Sequence, residues 1–323
     1  MKLKNFYDLA VKIGISRDPR NNKTIEQVLK NSGKEYRKLK GAEKSCFDLD
    51  SLKNPYPDTR ILNGSLETEV KNILLGVDIE APEVLLFDRL KDTHDLDLLV
   101  SHHPEGFAFA GLHGVMAMQA DILGKFGLDL EIAKKFLAER MKEVERRIMP
   151  ANHTRAVDAA KLLNVPFMCM HTVADNCVVS FLQKLFDKKK PKTLNEIINI
   201  LKSIPEYKNA CINKAGPKIV SGKAKDKAGK IFVDMTGGTE GPKDIFGRLS
   251  QAGVKTIICM HLSEEHLKNI QKEQINAIIA GHIASDNLGL NLLLDEIEKI
   301  EEFNVLSCSG FKRIRHNGTR HRL

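Results

Sequence analysis

Five histidines in this chain follow short apolar runs. LLVSHH ends in His102 and His103, FMCMH in His171, TIICMH in His261 and AIIAGH in His282. In open α/β sheets the loops beyond the carboxyl ends of strands converge on the functional crevice, so these runs would bring imidazoles to one place. Two of the histidines have an aspartate four residues on, His171 with Asp175 in HTVAD and His282 with Asp286 in HIASD. If a helix begins after each strand, that spacing puts imidazole and carboxylate on one face. A lone histidine after a strand is ordinarily a hydrogen-bonded loop or core residue. Recurrence of HxxxD, together with the adjacent pair in SHHP, is what points to a metal centre. The mixed nitrogen and oxygen set suits Zn, Fe, Mn or Ni and is large enough for two divalent ions. Two such ions, about 3.5 to 4 Å apart, generate hydroxide near neutral pH and polarise a carbonyl, phosphoryl or ring carbon.

Other motifs add less. TGGTEG (236–241) follows one apolar run and precedes KDIFGRLSQAG, which reads as a helix, so it is a tight strand-to-helix turn or a glycine-lined approach to a ligand. It has neither the P-loop lysine pattern nor GxGxxG. Glu105 and His171 are the candidate proton carriers of the site. His113 could be a supporting partner of the site or an ordinary loop residue. His153 and Arg155 in ANHTRAVD could meet an anionic group, although helix capping explains that segment equally well. A Ser/His/Asp hydrolase finds no GxSxG elbow to support it, and Cys169 lies inside an apolar run as packing.

The elements that must position these residues are an N-terminal amphipathic helical stretch over residues 1–60 and then an α/β pattern. Unbroken apolar runs at 73–79, 96–101, 165–170, 230–235, 254–260 and 276–280 suit strands buried on both faces. A long helix is expected from about Leu128 to Ile148, with a further helix in RAVDAAKLL capped by Asn152 or Thr154. Residues 184–230 are rich in Lys, Gly and Pro and read as a connector or peripheral subdomain, with one helix from Leu194 to Lys202.

The 323 residues are 42% hydrophobic and carry a formal net charge of +8. That charge is marginal in its placement. Lys and Arg exceed Asp and Glu by 13 to 7 over residues 1–53, by 13 to 4 over 184–230 and by 5 to none over 310–323, so the remaining body is acidic. With no Trp and four Tyr there are few platforms for stacking bases, so a nucleic-acid partner through Lys188–Lys192 and the tail is disfavoured. No apolar run reaches the roughly 18 residues that a membrane span needs, and the six cysteines contain no CxxC pair. The composition is that of a soluble, cytoplasmic protein without a membrane partner.

On SHHP (101–104), HTVAD ending at Asp175, GGTEG and GHIASD (281–286), the chain resembles the Nif-three-like family (NGG-one-interacting factor three), also called GTP cyclohydrolase I type 2-like. The stretch from PDTRILNG to ILLGVDIE and the helix with KEVERRIMPANHTRAVDAA resemble a longer branch of that family. The resemblance implies an α/β fold of two related domains with mixed or parallel sheets flanked by helices. It also implies a homohexamer and a dinuclear metal site held by His102, His103, Asp175, His282 and Asp286. Carried onto this chain, residues 1–60 are an N-terminal helical extension. Residues 61–180 with 283–323 form the first domain, carrying most of the metal site, and 181–282 the second, with the Lys-rich connector at 184–230. The last ligand position is usually Glu and here is Asp286, whose shorter side chain must come closer to bridge two ions. The expected function is a metal-dependent hydrolase in which metal-bound hydroxide attacks a small or nucleotide-like molecule. The alternative is a non-catalytic metal-binding or regulatory protein for storage, delivery or partner binding.

Overall fold

The computed structural model describes residues 1–316; the end of the basic tail, residues 317–323, lies outside the described residues. Its strands are β1 (Thr59–Asn63), β2 (Asn72–Gly76), β3 (Leu98–Ser101), β4 (Phe167–Met170), β5 (Lys218–Ser221), β6 (Lys230–Asp234), β7 (Val254–Cys259), β8 (Asn276–Ile279) and β9 (Asn304–Ser307). They form two sheets, ordered β1-β4-β3-β2-β9 and β5-β8-β7-β6. In each sheet the strands run parallel apart from one antiparallel edge, β1 on β4 and β5 on β8. The fold is therefore α/β with two sheets of like design flanked by helices.

The six apolar runs all become strands, and in β3 and β4 every residue is buried. Strands β1, β5 and β9 were not anticipated. β1 contains a buried arginine, Arg60, while β5 and β9 are short, partly exposed edges without an unbroken apolar run. Within residues 184–230, read as a connector or peripheral subdomain, β5 supplies an edge of the second sheet. The expected long helix is Leu130–Ile148, capped by the Asp129 side chain on the amide of Ile132. Thr154 sits at the cap of helix Arg155–Leu162 but makes no side-chain capping bond; its hydroxyl donates to Asp158 instead.

The N-terminal helix Leu3–Arg17 buries Leu3, Phe6, Tyr7, Ala10 and Val11, the stripe that a helix with one apolar face requires. Its Gly14 packs so closely on helix Thr172–Lys189 that a Cβ there would stand 2.6 Å from Cγ1 of Val173. Helix His282–Ile297 meets the same partner at Gly289, where a Cβ would stand 2.5 Å from the carbonyl oxygen of Ala174. These two helices contribute to both large apolar cores. Val173, Ala174, Leu290 and Leu294 belong to one, and Val178, Leu182 and Leu288 to the other. Small residues at the crossing let the backbones of the two helices approach. Among the described residues no helix is long and apolar enough to cross a membrane.

Candidate metal centre

The site is built where β3, β4 and β8 end. β3 leads directly into His102 and His103. β4 leads into His171, whose successor begins helix Thr172–Lys189, and His282 is the first residue of helix His282–Ile297. Each HxxxD segment therefore does begin a helix. Asp175 Oδ2 lies 3.9 Å from His171 Nε2, and Asp286 Oδ2 lies 3.7 Å from His282 Nε2.

Asp286 is fully buried and spans the cluster. Its Oδ1 is 3.4 Å from His102 Nε2, and its Oδ2 is 3.6 Å from His103 Nε2. Asp175 Oδ1 is also 3.4 Å from His102 Nε2. Asp286 thus reaches three imidazoles with its two oxygens. Three groups offer ligand atoms within 4.8 Å of one another: His102, His103 and His171; His103, His282 and Asp286; and His102, Asp175 and Asp286.

The chemistry of these atoms fits a cation. His102 Nε2, Asp175 Oδ1 and both oxygens of Asp286 are buried without a hydrogen-bond partner. Leaving such groups unsatisfied ordinarily costs about 1–3 kcal/mol each, and a shared ion would satisfy all of them. The ring orientations agree. His102 Nδ1 lies 3.1 Å from the carbonyl oxygen of Met170, which can only accept, so Nδ1 carries the hydrogen and Nε2 faces the cluster. His103 Nδ1 bonds Asp78 at 2.6 Å and His171 Nδ1 bonds Asp58 at 2.8 Å.

Burial pulls the His102 imidazole down, but Asp286 and Asp175 outweigh it and hold the ring well above its usual range. His171 is likewise raised, burial being outweighed by Asp175 and Asp58. Burial would raise Asp286, yet His102 holds it low. His282, desolvated and facing other histidines, is lowered.

A cavity of about 90 Å³ opens beside the cluster, lined by His171, Asp175 and His282 on one side. Opposite stands the TGGTEG turn, which the Gln119 amide pins by donating to the carbonyls of Gly237 and Thr239 at 2.7 Å each. Gly237 and Gly238 have φ of +96° and +84°, which a residue with a Cβ rarely adopts. The turn follows a strand and lines a pocket, as a glycine-lined approach would.

Glu105 belongs to none of the three groups and does not line the cavity. Burial and the neighbouring charge of Glu80 push its carboxyl up to about 7. His113 bonds the carbonyl of Ala110 and lies 3.9 Å from Glu145, while His153 bonds the carbonyl of Ile148 and packs on Phe109. Arg155 pairs with Glu80. These three join local structure rather than the cluster.

Three carboxylates that bear on the site were missed in the sequence: Asp58, Asp78 and Asp234. Asp78 and Asp234 come at the ends of apolar runs, the same signal that picked out the histidines. Asp58 carried no such signal, standing in the link before the unanticipated β1.

Among solved structures, the chain is similar to a NIF3 superfamily protein from Sphaerobacter thermophilus. The two share 24% identity over 89% of this chain and 98% of that one, with a TM-score of 0.68. The protein thus has the NIF3-like fold, with a buried His/Asp cluster that could bind metal. Weaker likenesses are to reduced HcgD from Methanocaldococcus jannaschii (12% identity, 77% of this chain and 87% of that one, TM-score 0.46) and a Bacillus cereus protein related to NIF3 (10%, 78% and 91%, 0.43). No family model matches the chain, and no curated protein matches it significantly.

Proposed function

We propose that the protein is a metal-dependent hydrolase whose two divalent ions are held by His102, His103, Asp175, His282 and Asp286. The observation that supports this most is the convergence of four unpartnered buried atoms, on His102, Asp175 and Asp286, within one cluster. Bound there, the ions would supply Lewis acidity to activate water and stabilise developing negative charge. The chain's own groups do the rest. Asp286 faces three histidines with two oxygens, the arrangement a bridging carboxylate needs. Asp58 fixes His171 with Nε2 toward Asp175, where the ring can carry a proton or serve as a further ligand. Glu105, its carboxyl at about 7, is the second proton carrier of the proposal. The cavity beside the cluster, about 90 Å³, would take the reacting part of a small molecule. Assembly into a homohexamer belongs to the same proposal, and light scattering on the purified protein reads it.

Elemental analysis tests the site. Protein purified without chelator should retain about two equivalents of transition metal, and His102→Ala/His103→Ala should lose most of it. Stoichiometric metal in that double variant would remove the assignment. A panel of phosphoester, amide and nucleotide substrates, run with metal loaded, separates the hydrolase from a protein that only holds metal.

A further inference from the structure

We propose that the cavity beside the histidine cluster binds a small molecule through a cationic nitrogen group of the amidine or guanidine kind, with Asp234 as its anchor. The placement of the molecule's reacting end at the cluster rests on the hydrolase reading; the anchor does not.

The chain has 50 Lys and Arg, yet among the described residues none lines this cavity. Its wall offers no cation to an anionic head group apart from what the histidines and any ions supply. Three carboxylates face it instead: Asp175, Asp234 and Glu240. Asp175 belongs to the cluster. Glu240 is occupied, accepting from the Ser263 amide at 2.6 Å with His261 at 3.5 Å and His266 at 3.6 Å. These partners outweigh burial and hold its carboxyl down at about 2, so it stays charged.

Asp234 is different. It ends β6, and among the described residues its side chain accepts no hydrogen bond and pairs with no cation. Burial and the nearby charge of Glu240 push it up to about 6, against a smaller downward pull from His261. Apolar side chains, Phe232, Leu249 and Ile257 among them, make up much of the remaining wall. A planar, delocalised cation suits both features, since it is weakly hydrated, lies against apolar surface and donates two parallel bonds to one carboxylate. His261 links this end to the cluster, its ring 4.9 Å from that of His282. An anionic head group would be repelled by Asp234, and a neutral one could hydrogen-bond it but would leave its charge unbalanced in a closed cavity.

The test uses three probes of nearly equal size, acetamidinium, acetamide and acetate, titrated by NMR into full-length, metal-stripped protein. Acetamidinium should bind at least tenfold tighter than acetamide, and Asp234→Asn should weaken it by roughly tenfold, the usual worth of a charge-assisted bond. Equal binding of acetamidinium and acetamide, or an unchanged affinity in Asp234→Asn, overturns the proposal. Should that variant fail to fold, the wild-type spectrum decides. Acetamidinium must shift the resonances of Thr236 and His261, and shifts confined to other regions overturn the proposal equally. Metal content is measured separately on the untreated protein. Untreated protein found to hold no metal, with acetamidinium binding through Asp234 intact in the titration, removes the hydrolase reading and leaves this one standing; two ions in the untreated protein without amidinium binding do the reverse.

Discussion

Asp58 accepts a hydrogen bond from Nδ1 of His171 at 2.8 Å while its same oxygen takes the Thr172 hydroxyl at 2.6 Å. A carboxylate from the link before β1 thereby fixes the ring at the end of β4, and so decides which nitrogen of His171 the cluster sees. Removing its charge should loosen that ring without unfolding the protein. With His171 as a further ligand beside the proposed five, Asp58→Asn is expected to weaken metal binding by about tenfold, as loss of a carboxylate behind a ligating histidine commonly does. Competition with a chromophoric chelator measures it; an affinity equal to wild type would show that His171 plays no part in holding the ions.

Metal uptake should weaken in acid. Asp286 and Asp175 hold the His102 ring above its usual range, so a proton competes for Nε2 at pH values where an isolated imidazole would already be free. The sign is fixed: affinity rises with pH and is still rising above pH 6.5. Calorimetric titration with Zn at pH 6, 7 and 8 checks it, and a flat profile would contradict the placement of His102 in the site.

Gly289→Ala places a methyl carbon 2.5 Å from the Ala174 carbonyl and must push two helices apart. We expect a loss of roughly 1–3 kcal/mol in denaturant unfolding, as for other overpacked cores. Because Asp175 and Asp286 stand on these same helices, metal affinity should fall as well. Gly33→Ala, inside helix Asn22–Lys38 at a glycine whose nearest obstacle is the end of the Arg37 side chain 3.9 Å away, should leave metal affinity unchanged and raise stability by about 0.5–1 kcal/mol.

Glu240 has a folded pKa of about 2 against an ordinary 4.5. A depressed carboxylate contributes stability that is complete above the unfolded value and is lost as pH falls through the folded one. Glu240→Gln should therefore cost about 1–3 kcal/mol at pH 7, and the difference from wild type should shrink steadily below pH 4.5. Urea unfolding of both proteins from pH 7 to pH 3 reads it.

The parts of this structure that were legible in the sequence are those where one residue type repeats a single environment. Strands β2, β3, β4, β6, β7 and β8 are covered by protein on both faces, so their apolar runs are unbroken. The histidines at their ends stood out against that background, and HxxxD translated directly into a helical first turn. What stayed hidden depends on partners far away in the chain. β1 is a strand because β4 needs an edge, although its own pattern holds a buried Arg60 that bonds the carbonyls of Tyr56 and Thr59. Asp58 and Asp234 matter through what stands opposite them, and no local spacing expresses that.

The wide separation of the site's residues along the chain bears on how the protein comes to be made. Asp58 and Asp286 are 228 positions apart, and the first sheet is not complete until β9, at residues 304–307, pairs with β2. On a ribosome, the histidines of β3 and β4 emerge long before the carboxylate that joins them. Until helix His282–Ile297 docks on its partner, the group of His102, His103 and His171 lacks the two carboxylate oxygens of Asp286 and the His282 imidazole. On the proposed metal reading the five-residue ligand set is thus a late product of synthesis, and a nascent chain stalled before residue 282 would lack two of its members, His282 and Asp286.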